Sequence, residues 1–515
     1  MSSLDLVPAL LVILPILGAT FPLALGLRYD DVGWTVATAV CGAVFALSLP
    51  VANAVYGVGE RVWVIHPLGG FERPVGIELV ADELSTIIVL LVAGISLATL
   101  AYTRHGGPRG NTFYSGYLLL VGGLMGIALT GDVFNLFVFL EITGIATYAL
   151  IAKADGPEAA VAALKYLIIG TVGASLYLVG VGFVFLATGT LNMIDLASAI
   201  PEAGYDDPLV RMGFVFMFVG FAIKVAQWPL HTWQPDAYQH APDGVTPMIA
   251  ALVSTVSAYA LARVIFGVYT VEFVHATPYL QEVIVTVGSV SVIAGSALAV
   301  IQVDVKRMLA FSSVSQFGLI VAAYGLLTET ALVGALVHLV GHGVMKAGLF
   351  VCAGVIAAGY GARKVDEYAG LFARRPVAAG SMAVLGIALI GIPPSVGFIG
   401  KWYIAVGSIE AELWSVAAVI FLSTMLTLGY VARLLEKMFF TPTTGVPDGA
   451  SGPSANGVAA DGGEGVLVGT LEEADPVSRG MIGLAVGAAV LAVALGFAGA
   501  TFHELFDPFV SEVFS

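Results

Sequence analysis

Four of the eight lysines in this chain lie inside long apolar stretches: Lys165, Lys224, Lys346 and Lys401. A lysine near the centre of a membrane helix costs about 2.5–3.5 kcal/mol to insert, so four such residues are not expected by chance. Because removal from water disfavours the charged form of an amine, a lysine in this environment can take up and release a proton. The four lysines therefore predict a path for protons through a membrane.

Glu141 is the acid best placed to partner one of these lysines. It lies in the middle of GDVFNLFVFLEITGIATYALIA and is the only acid well inside a predicted span. A charged Glu141 stabilises protonated Lys224, and separation of the two favours release of the proton. A static ion pair that fixes helix packing is the alternative, although the burial of two charges without a use costs more than their attraction returns.

A second group lies further along the chain. His338, His342 and Lys346 are spaced i, i+4 and i+8 in ALVGALVHLVGHGVMKAGLF, so they stack on one face of a helix. Imidazoles exchange protons in the physiological range, and this spacing favours a proton relay. Two histidines four residues apart could also bind zinc, but no third ligand is evident. Histidines that only pack in the core are a further alternative.

Three other ionisable residues have more than one interpretation. His231 follows Lys224 by seven residues and shares its helix face only if the helix continues past Pro229. Lys165 lies early in its span, where it can join a relay or extend its amine towards the membrane surface. Arg263 lies in the outer half of its span, and we expect it to reach the interface or to pair with an acid.

The elements that position these residues are membrane helices. The chain has 515 residues, a mean hydropathy of +0.95, and 58% hydrophobic against 11% charged residues. A soluble protein carries about 25% charged residues, whereas apolar runs of about 20 residues, each able to cross a bilayer, recur here from end to end. Fourteen spans are predicted, at residues 4–27, 32–55, 81–102, 112–130, 132–152, 160–188, 209–230, 244–270, 278–302, 305–326, 329–358, 376–406, 412–436 and 479–501.

The distribution of lysine and arginine predicts the orientation. With the N-terminus outside, only Arg61, Arg73 and Arg211 fall on the outer side. Inner loops and span ends hold Arg28, Arg104, Arg109, Lys153, Lys306, Arg307, Arg363, Lys364, Arg374, Arg375, Arg433, Lys437 and Arg479. Cytoplasmic loops carry such an excess of cationic residues. We therefore expect a multi-pass protein of the cell membrane, with an even number of spans and both termini outside.

Proline interrupts two spans at matching positions. Pro229 breaks GFAIKVAQWPLHTWQPDAYQHAP, and Pro393 and Pro394 break GIPPSVGFIGKWYI. Each broken span is the fourth of a five-span block, 112–270 and 278–436, and the blocks start on opposite sides because each holds an odd number of spans. Broken helices at matching places in inverted repeats mark the substrate path of many transporters. The sequence thus predicts an all-α polytopic membrane protein with two inverted five-helix repeats.

Other segments complete the predicted organisation. Residues 1–111 contribute three helices and an outside loop, and the alternating residues of this loop, at 56–80, indicate a short hairpin. Residues 441–478 are rich in Gly, Ala, Pro and acids, which predicts a disordered acidic cytoplasmic loop, either a solvated linker or a docking segment. Residues 479–515 form a last helix and a tail.

Acidic residues outnumber basic ones. The chain has 36 Asp and Glu against 21 Lys and Arg, a net charge of −15. Because an acidic surface stays soluble in strong salt, this predicts a halophilic host, an archaeon, with an acidic docking surface as the alternative. The two cysteines, Cys41 and Cys352, lie in apolar runs, so neither a disulfide framework nor a thiolate metal site is expected.

Several segments together resemble one family. They are GDVFNLFVFLEITGIATYALIA, ALKYLIIGTVGASLYL, the stretch from Lys224 to Pro242, VDVKRMLAFSSVSQFG, HLVGHGVMKAGLF and GIPPSVGFIGKW. Residues 75–440 are similar to the proton-translocating membrane subunits shared by Mrp-type antiporters, respiratory complex I and membrane-bound hydrogenases. The form GDVFNLFVFLEI most resembles the D-type component of the Mrp-type antiporters.

The resemblance implies a fold and a set of residues. It implies a fourteen-helix core with two inverted five-helix repeats, and a carboxylate–lysine pair on the fifth and seventh helices, here Glu141 and Lys224. It also implies a terminal lysine on the broken twelfth helix, Lys401, reached through His338, His342 and Lys346.

This chain departs from the family pattern at one position. Many relatives carry a lysine on the eighth helix, in a segment similar to LVSTVSAYAL, where this chain has Thr255. The central relay is then expected to run through water with Ser254, Thr255, Ser257 or Tyr259.

The function implied by the resemblance is proton translocation in a multisubunit Na⁺/H⁺ antiporter, with other antiporter subunits as partners in the bilayer and protons and Na⁺ as the ions. The alternatives are the same proton module in a complex I-like dehydrogenase or hydrogenase, and a scaffold that transports nothing. In the antiporter the chain is a secondary transporter subunit and not an enzyme. No nucleotide, flavin or iron–sulfur motif is present, and we expect no cofactor, no metal and no nucleic acid partner.

Overall fold

The computed structural model describes residues 4–57, 62–442 and 477–514. Within these ranges the chain is almost entirely helical, and eleven helices are long and apolar enough to cross a membrane. They are Val7–Leu25, Gly33–Tyr56, Glu83–Thr103, Asn111–Leu129, Val133–Ile151, Pro157–Thr188, Thr246–Ala276, Leu280–Val300, Glu329–Tyr360, Trp414–Phe439 and Arg479–Phe497.

Three further predicted spans have a different form. Val305–Tyr324 is a continuous helix that is less apolar than the others, because it carries serines, a glutamine and two cations. Pro208–Lys224 with Trp233–His240, and Pro376–Ile390 with Val396–Glu410, are the halves of two broken helices. We number the fourteen spans in chain order, so that the broken ones are spans 7 and 12. The predicted fold class is confirmed.

The break in span 7 is wider than a proline kink. The helix ends at Lys224 and resumes at Trp233, so residues 225–232 are not helical. Pro229 explains the early end, because its ring clashes with the carbonyl of the residue four positions before it, Val225. His231 therefore does not continue the helix face of Lys224.

The two five-helix repeats share a structural feature. In each repeat an aspartate caps the second span and forms a β-bridge with the segment after the third span. The two bridges are Asp132 with Asn192 and Asp304 with Lys364. Since the repeats begin on opposite sides of the membrane, the bridges lie at opposite ends of the bundle, as inversion requires. The exact repeat boundaries, 112–270 and 278–436, stay a prediction.

Span 8 is not the regular helix that the sequence indicated. Wider π-helical turns at Ile249–Val253 and Arg263–Tyr269 flank the α-helical segment Ser254–Ala262. Such turns are rare and frequently lie at functional sites. Span 8 lies at the centre of the bundle, and nearly all of its residues are buried.

Several short elements cover the side of the bundle at which the first span begins, which we call the N-terminal side. Strands β1 (Val64–Pro67) and β2 (Glu78–Ala81) pair antiparallel and confirm the predicted hairpin. The residues after the last span form a helix, Gly499–Phe514, where only a tail was predicted. Its buried residues, Phe502, Phe506, Phe509 and Val510, share one face, so the helix lies against the bundle. Most of the predicted loop at 441–478 lies outside the described residues.

Candidate functional site

The structure brings Glu141 and Lys224 together. Lys224 is the last residue of the first half of span 7, and its ammonium nitrogen lies 3.9 Å from a carboxylate oxygen of Glu141 on span 5. The lysine side chain is 5% exposed, whereas that of Glu141 is 23% exposed. The separation is that of a loose ion pair, longer than a hydrogen bond. The charge of each group therefore affects the protonation of the other, although no direct hydrogen bond holds the two together.

Side chains satisfy the backbone carbonyls that the break in span 7 leaves free. The indole of Trp233 donates to the carbonyl of Ile223 at 2.8 Å, and the hydroxyl of Ser254 donates to the carbonyl of Lys224 at 3.4 Å. Unpaired carbonyls at a buried helix end are costly, so these bonds fix where the helix stops. They also place Ser254 of span 8 beside Lys224.

Polar side chains continue from the break into span 8. Gln234 donates to the hydroxyl of Tyr238 at 3.1 Å and to that of Ser254 at 3.0 Å. The amide of Gln227 and the hydroxyl of Thr255 are buried and have no hydrogen-bond partner among the described residues. Buried polar groups of this kind are commonly paired with internal water. Sequence reasoning missed both glutamines, although glutamine in an apolar segment was the available signal.

The other candidates on span 8 have separate surroundings. Ser257 donates to the carbonyl of Val253 on its own helix at 2.8 Å. Tyr259 donates to the carbonyl of Ala128 on span 4 at 2.8 Å and lies towards the N-terminal side. Of the four span 8 residues predicted as a possible relay, Ser254 and Thr255 therefore lie at the centre, Ser257 is bonded to its own helix, and Tyr259 belongs to another part of the bundle.

The second group is buried throughout. His338 donates a hydrogen bond of 2.8 Å from Nε2 to the amide oxygen of Gln316, and the rings of His338 and His342 are 6.5 Å apart. His342 stands against the ring of Phe317 and has no hydrogen-bond partner for either nitrogen among the described residues. Lys346 donates to the carbonyl of Leu309 at 2.6 Å. These side chains form one row along span 11 that faces span 10.

Lys346 and Lys401 are both held by neutral oxygens. Lys346 also donates to the hydroxyl of Ser312 at 2.5 Å. Lys401 donates to the carbonyls of Leu389 and Ile390 at 3.1 and 2.9 Å, which are the last residues before the break in span 12. The carbonyls freed by the prolines thus bind the lysine that follows them.

Ion pairs at the side opposite the N-terminal side join the two repeats. Lys165 of span 6 binds Asp236 at 2.6 Å, and Arg307 of span 10 binds the same carboxylate at 2.8 Å. Asp236 lies just after the break in span 7, in a polar segment in which sequence reasoning did not single it out. This pairing supports the structural interpretation of Lys165 more than the relay.

A second carboxylate at this side has a similar role. Asp243 binds Lys306 at 3.0 Å and Arg363 at 3.0 Å. Burial alone raises the pKa of Asp243, but the two cations reverse this effect and hold its pKa below the usual range. Asp243 therefore stays charged and links the start of span 8 to span 10 and to the segment after span 11.

Among the described residues, no further ligand joins His338 and His342 to complete a metal site. Within the described ranges, no group of three or more His, Cys, Asp or Glu side chains is arranged to hold a metal ion. A structural zinc ion requires four ligands, and a catalytic one requires three from the protein.

Comparison with curated proteins identifies relatives of two kinds. The N-type component of the NADH-quinone oxidoreductase of Desulforudis audaxviator is 42% identical over 380 residues, covering 72% of this chain and 74% of the relative. The D-type component of the Na⁺/H⁺ antiporter of Bacillus subtilis is 32% identical over 376 residues, covering 72% of this chain and 75% of the relative.

Solved structures share the fold over nearly the whole length. A chain of the membrane-bound sulfane sulfur reductase, an archaeal respiratory membrane complex, superposes with a TM-score of 0.85 and 28% identity, covering 98% of this chain and 97% of that one. A chain of the Mrp complex from Dietzia sp. DQ12-45-1b superposes with a TM-score of 0.83 and 26% identity, with both chains fully covered.

The family model for the transmembrane subunits of NADH:quinone oxidoreductase and Mrp antiporters matches residues 130–427, a range that contains Glu141, all four span lysines and both broken helices. The resemblance found in the sequence is thereby confirmed, and this chain belongs to the NADH:quinone oxidoreductase and Mrp antiporter transmembrane family.

Proposed function

We propose that this chain is the proton-translocating subunit of a multisubunit Na⁺/H⁺ antiporter. The observation that carries the proposal is the row of buried ionisable groups that extends from one repeat into the other. Glu141 and Lys224 begin it, and Lys346 and Lys401 end it. Buried charges at the depth of a membrane are rarely kept without a use in transport.

Protons pass along this row by changes in the charge of neighbouring groups. A proton on Lys224 is stabilised by Glu141, and it moves on when that carboxylate is neutralised or withdrawn. His338 and His342 then carry the proton along span 11 towards Lys346 and Lys401 as neutral relays. His231, in the break of span 7, is a buried group through which protons reach Lys224.

The central step takes place without a lysine on span 8. Gln227, Gln234, Ser254 and Thr255 offer buried polar groups there, and three of them have hydrogen-bonding capacity that no described protein atom uses. A site that is polar and enclosed can hold ordered water. We therefore place water between Lys224 and span 11, in contact with Thr255.

The partners and the driving force follow from the relatives. The D-type component of the Na⁺/H⁺ antiporter and the Mrp complex support an assembly of several membrane subunits that exchange Na⁺ for protons. The 42% identity to a component of NADH-quinone oxidoreductase supports the second candidate, the same proton module in a redox-driven complex. Purification of the native complex separates the two, since iron–sulfur and quinone-reactive subunits accompany only the redox-driven one.

The proposal extends to orientation and host. We place the N-terminal side outside, which puts 441–478 in the cytoplasm, and we infer from the charge of −15 a halophilic archaeon. Tyr279 and Leu27 are exposed on opposite sides, while both native cysteines are buried. In intact cells, an impermeant thiol reagent should label Tyr279→Cys and spare Leu27→Cys. Labelling of Leu27→Cys alone contradicts the orientation.

The coupling role is tested by removing either member of the first pair. We expect Glu141→Ala and Lys224→Ala to assemble and to lose Na⁺-dependent dissipation of ΔpH in inverted vesicles that carry the complete complex. Lys153→Ala is the matched control, because it removes an exposed lysine outside the buried row. Normal activity in either pair variant refutes the proposed role and favours a scaffold.

A further inference from the structure

A cavity lies on the N-terminal side of the bundle, next to the C-terminal end of span 8 and away from the four lysines. Its volume is about 230 Å³, and the hairpin, the connection between spans 4 and 5, span 8 and the C-terminal helix surround it. Asp82, Tyr259, Arg263, Phe509 and Glu512 line it. Of the residues predicted for the proton path, only Tyr259 lines this cavity.

Arg263 is the cationic residue among those that line the cavity. Its guanidinium forms two hydrogen bonds with the carboxylate of Asp82, and its Nε donates to the hydroxyl of Tyr259 at 3.0 Å. The guanidinium also lies 5.5 Å from the ring of Phe509 on the C-terminal helix. Hydrogen bonds between an arginine and a carboxylate are charge-assisted and roughly twice as strong as bonds between neutral groups. Pairing with an acid was one of the two expectations for Arg263, but the partner was not predicted, because Asp82 lies 181 residues away in sequence.

Asp82 and Arg263 differ in how firmly they are held. Asp82 caps span 3 and accepts hydrogen bonds from the backbone of Leu84 at 3.1 Å and Ser85 at 2.8 Å. The described contacts to the guanidinium of Arg263 all come from side chains, those of Asp82, Tyr259 and Phe509. Asp82 is therefore held by the backbone of span 3, and Arg263 is the member that a change of rotamer can displace.

Span 8 connects this pair to the centre of the bundle. Thr255, Tyr259 and Arg263 follow one another at intervals of four residues, so they lie on one helix face. The oxygen of Tyr259 accepts from Arg263 while its proton is donated to the carbonyl of Ala128. Because its oxygen and its proton are both engaged, Tyr259 cannot pass a proton between the cavity and Thr255 while Arg263 stays in place.

A second acid offers Arg263 another position. Glu512 of the C-terminal helix lines the same cavity, and its charge interacts with those of Asp82, Glu83 and Arg263. Partial burial, together with Asp82 and Glu83, raises the pKa of Glu512, whereas a cation nearer to it has the opposite effect. Arg263 can therefore move from the carboxylate of Asp82 to that of Glu512 and keep an oppositely charged neighbour in both positions.

We propose that this cavity is the outer opening of the proton path and that Arg263 is its gate. The inference rests on the proposed function. With Arg263 on Asp82 and Tyr259 the path is closed, and with Arg263 towards Glu512 it is open. In the open state Asp82 takes a proton from water in the cavity and passes it to the oxygen of Tyr259, while Tyr259 gives its own hydroxyl proton towards water beside Thr255. Every group thereby returns to its starting charge.

Removal of the arginine should leave the gate open. We expect Arg263→Gln to raise the Na⁺-independent decay of an imposed ΔpH by about tenfold or more in vesicles that carry the complete complex, since each 1.4 kcal/mol removed from a barrier is a factor of ten. Arg211→Gln is the control, because Arg211 lies on the same side and binds the carbonyl of Tyr205 away from the cavity. An assembled Arg263→Gln complex without faster decay overturns the proposal.

A double variant shows whether the leak uses the proposed path. Lys224→Ala combined with Arg263→Gln should return the leak to the wild-type rate, and persistence of the leak overturns the gate. Failure of the proposed function is seen separately, as normal Na⁺-dependent transport in Lys224→Ala alone. The two results are therefore distinguishable.

Glu512, the second proposed partner of Arg263, is exposed, so it can be changed without altering the core. Glu512→Cys should slow coupled transport about two- to fivefold, as expected for loss of a largely exposed charge partner. Modification with a negatively charged methanethiosulfonate should restore the rate, while a positively charged one should not, and both native cysteines are buried. If the two reagents have the same effect, the charge of Glu512 does not assist opening and the exchange of partners is wrong.

Discussion

The two repeats treat their buried lysines differently. In the first repeat Lys224 has a carboxylate 3.9 Å away. In the second repeat Lys346 and Lys401 donate to carbonyl and hydroxyl oxygens, and neither forms an ion pair with a described acid within 4.0 Å. The first repeat therefore stabilises a charged lysine with a neighbouring charge, whereas the second offers only dipoles.

This difference indicates a division of labour. A lysine beside a carboxylate changes charge when the carboxylate does, so the first pair suits the coupling step. A lysine held by neutral oxygens alone loses most of its hydration without an opposing charge, so its protonated form is costly. Lys346 and Lys401 are therefore suited to hold a proton briefly and to pass it on.

The most direct test of this difference between the repeats is to give a lysine of the second repeat a carboxylate partner. Ser312→Asp places an acid at the position whose hydroxyl now binds Lys346 at 2.5 Å. An opposite charge at this distance stabilises the protonated lysine by a factor of roughly 10–1000, so we expect transport to fall about a hundredfold. The measurement is Na⁺-dependent ΔpH dissipation in vesicles with equal amounts of assembled complex.

Two controls separate this effect from the cost of burying an acid. Ser315→Asp adds an acid to the same span at a serine that bonds Ser296 at 2.7 Å instead of Lys346. Ser312→Ala removes the hydroxyl without adding a charge, and we expect it to retain activity within about threefold, as for loss of one modest hydrogen bond. If Ser312→Asp transports at the wild-type rate, Lys346 does not need to lose its charge.

A smaller effect is expected at Lys401. Arginine at this position keeps the positive charge and can still donate to the carbonyls of Leu389 and Ile390, but it cannot release a proton at working pH. We expect Lys401→Arg to assemble and to lose transport about tenfold, as Lys401→Ala does, which corresponds to about 1.4 kcal/mol on the transport barrier. Full activity of Lys401→Arg indicates that the site needs only a fixed charge.

The sequence predicted the elements of this fold well, because hydrophobic run length and prolines are local signals. Fourteen spans, two breaks and the hairpin all follow from features within about 30 residues of one another. The C-terminal helix was missed, since its apolar residues form one face and no run long enough to cross a membrane. The π-helical turns of span 8 depend on tertiary packing and leave no local pattern.

The site was predictable in part for the same reason. Lysines in apolar runs are visible in the sequence, whereas their partners come from distant segments. Asp82 lies in the first turn of its predicted span, and Asp236 lies between two predicted spans. Nothing local therefore marked Asp82 as the partner of Arg263, or Asp236 as the partner of Lys165 and Arg307. Gln227 and Gln234 carry no charge and did not stand out against the ionisable residues.

The smallest effect is expected at Lys165. This lysine of the first repeat tests whether every span lysine carries protons or whether some only form ion pairs. Unlike the other three span lysines, Lys165 has about a third of its side chain exposed, and it binds Asp236 at 2.6 Å together with Arg307. Because Lys165 binds a carboxylate at a partly exposed position, a structural role there needs only a positive charge. We therefore expect Lys165→Arg to retain transport within about twofold, the range of a surface ion pair, while Lys224→Arg fails because arginine cannot release a proton.

The structural role of Lys165 is tested by stability. Lys165→Gln should lower the thermal stability of the purified complex, with Asp236→Asn as the matched variant. If Lys165→Arg instead abolishes transport in stable complexes, Lys165 belongs to the relay and the first repeat uses two proton-carrying lysines, as the second does.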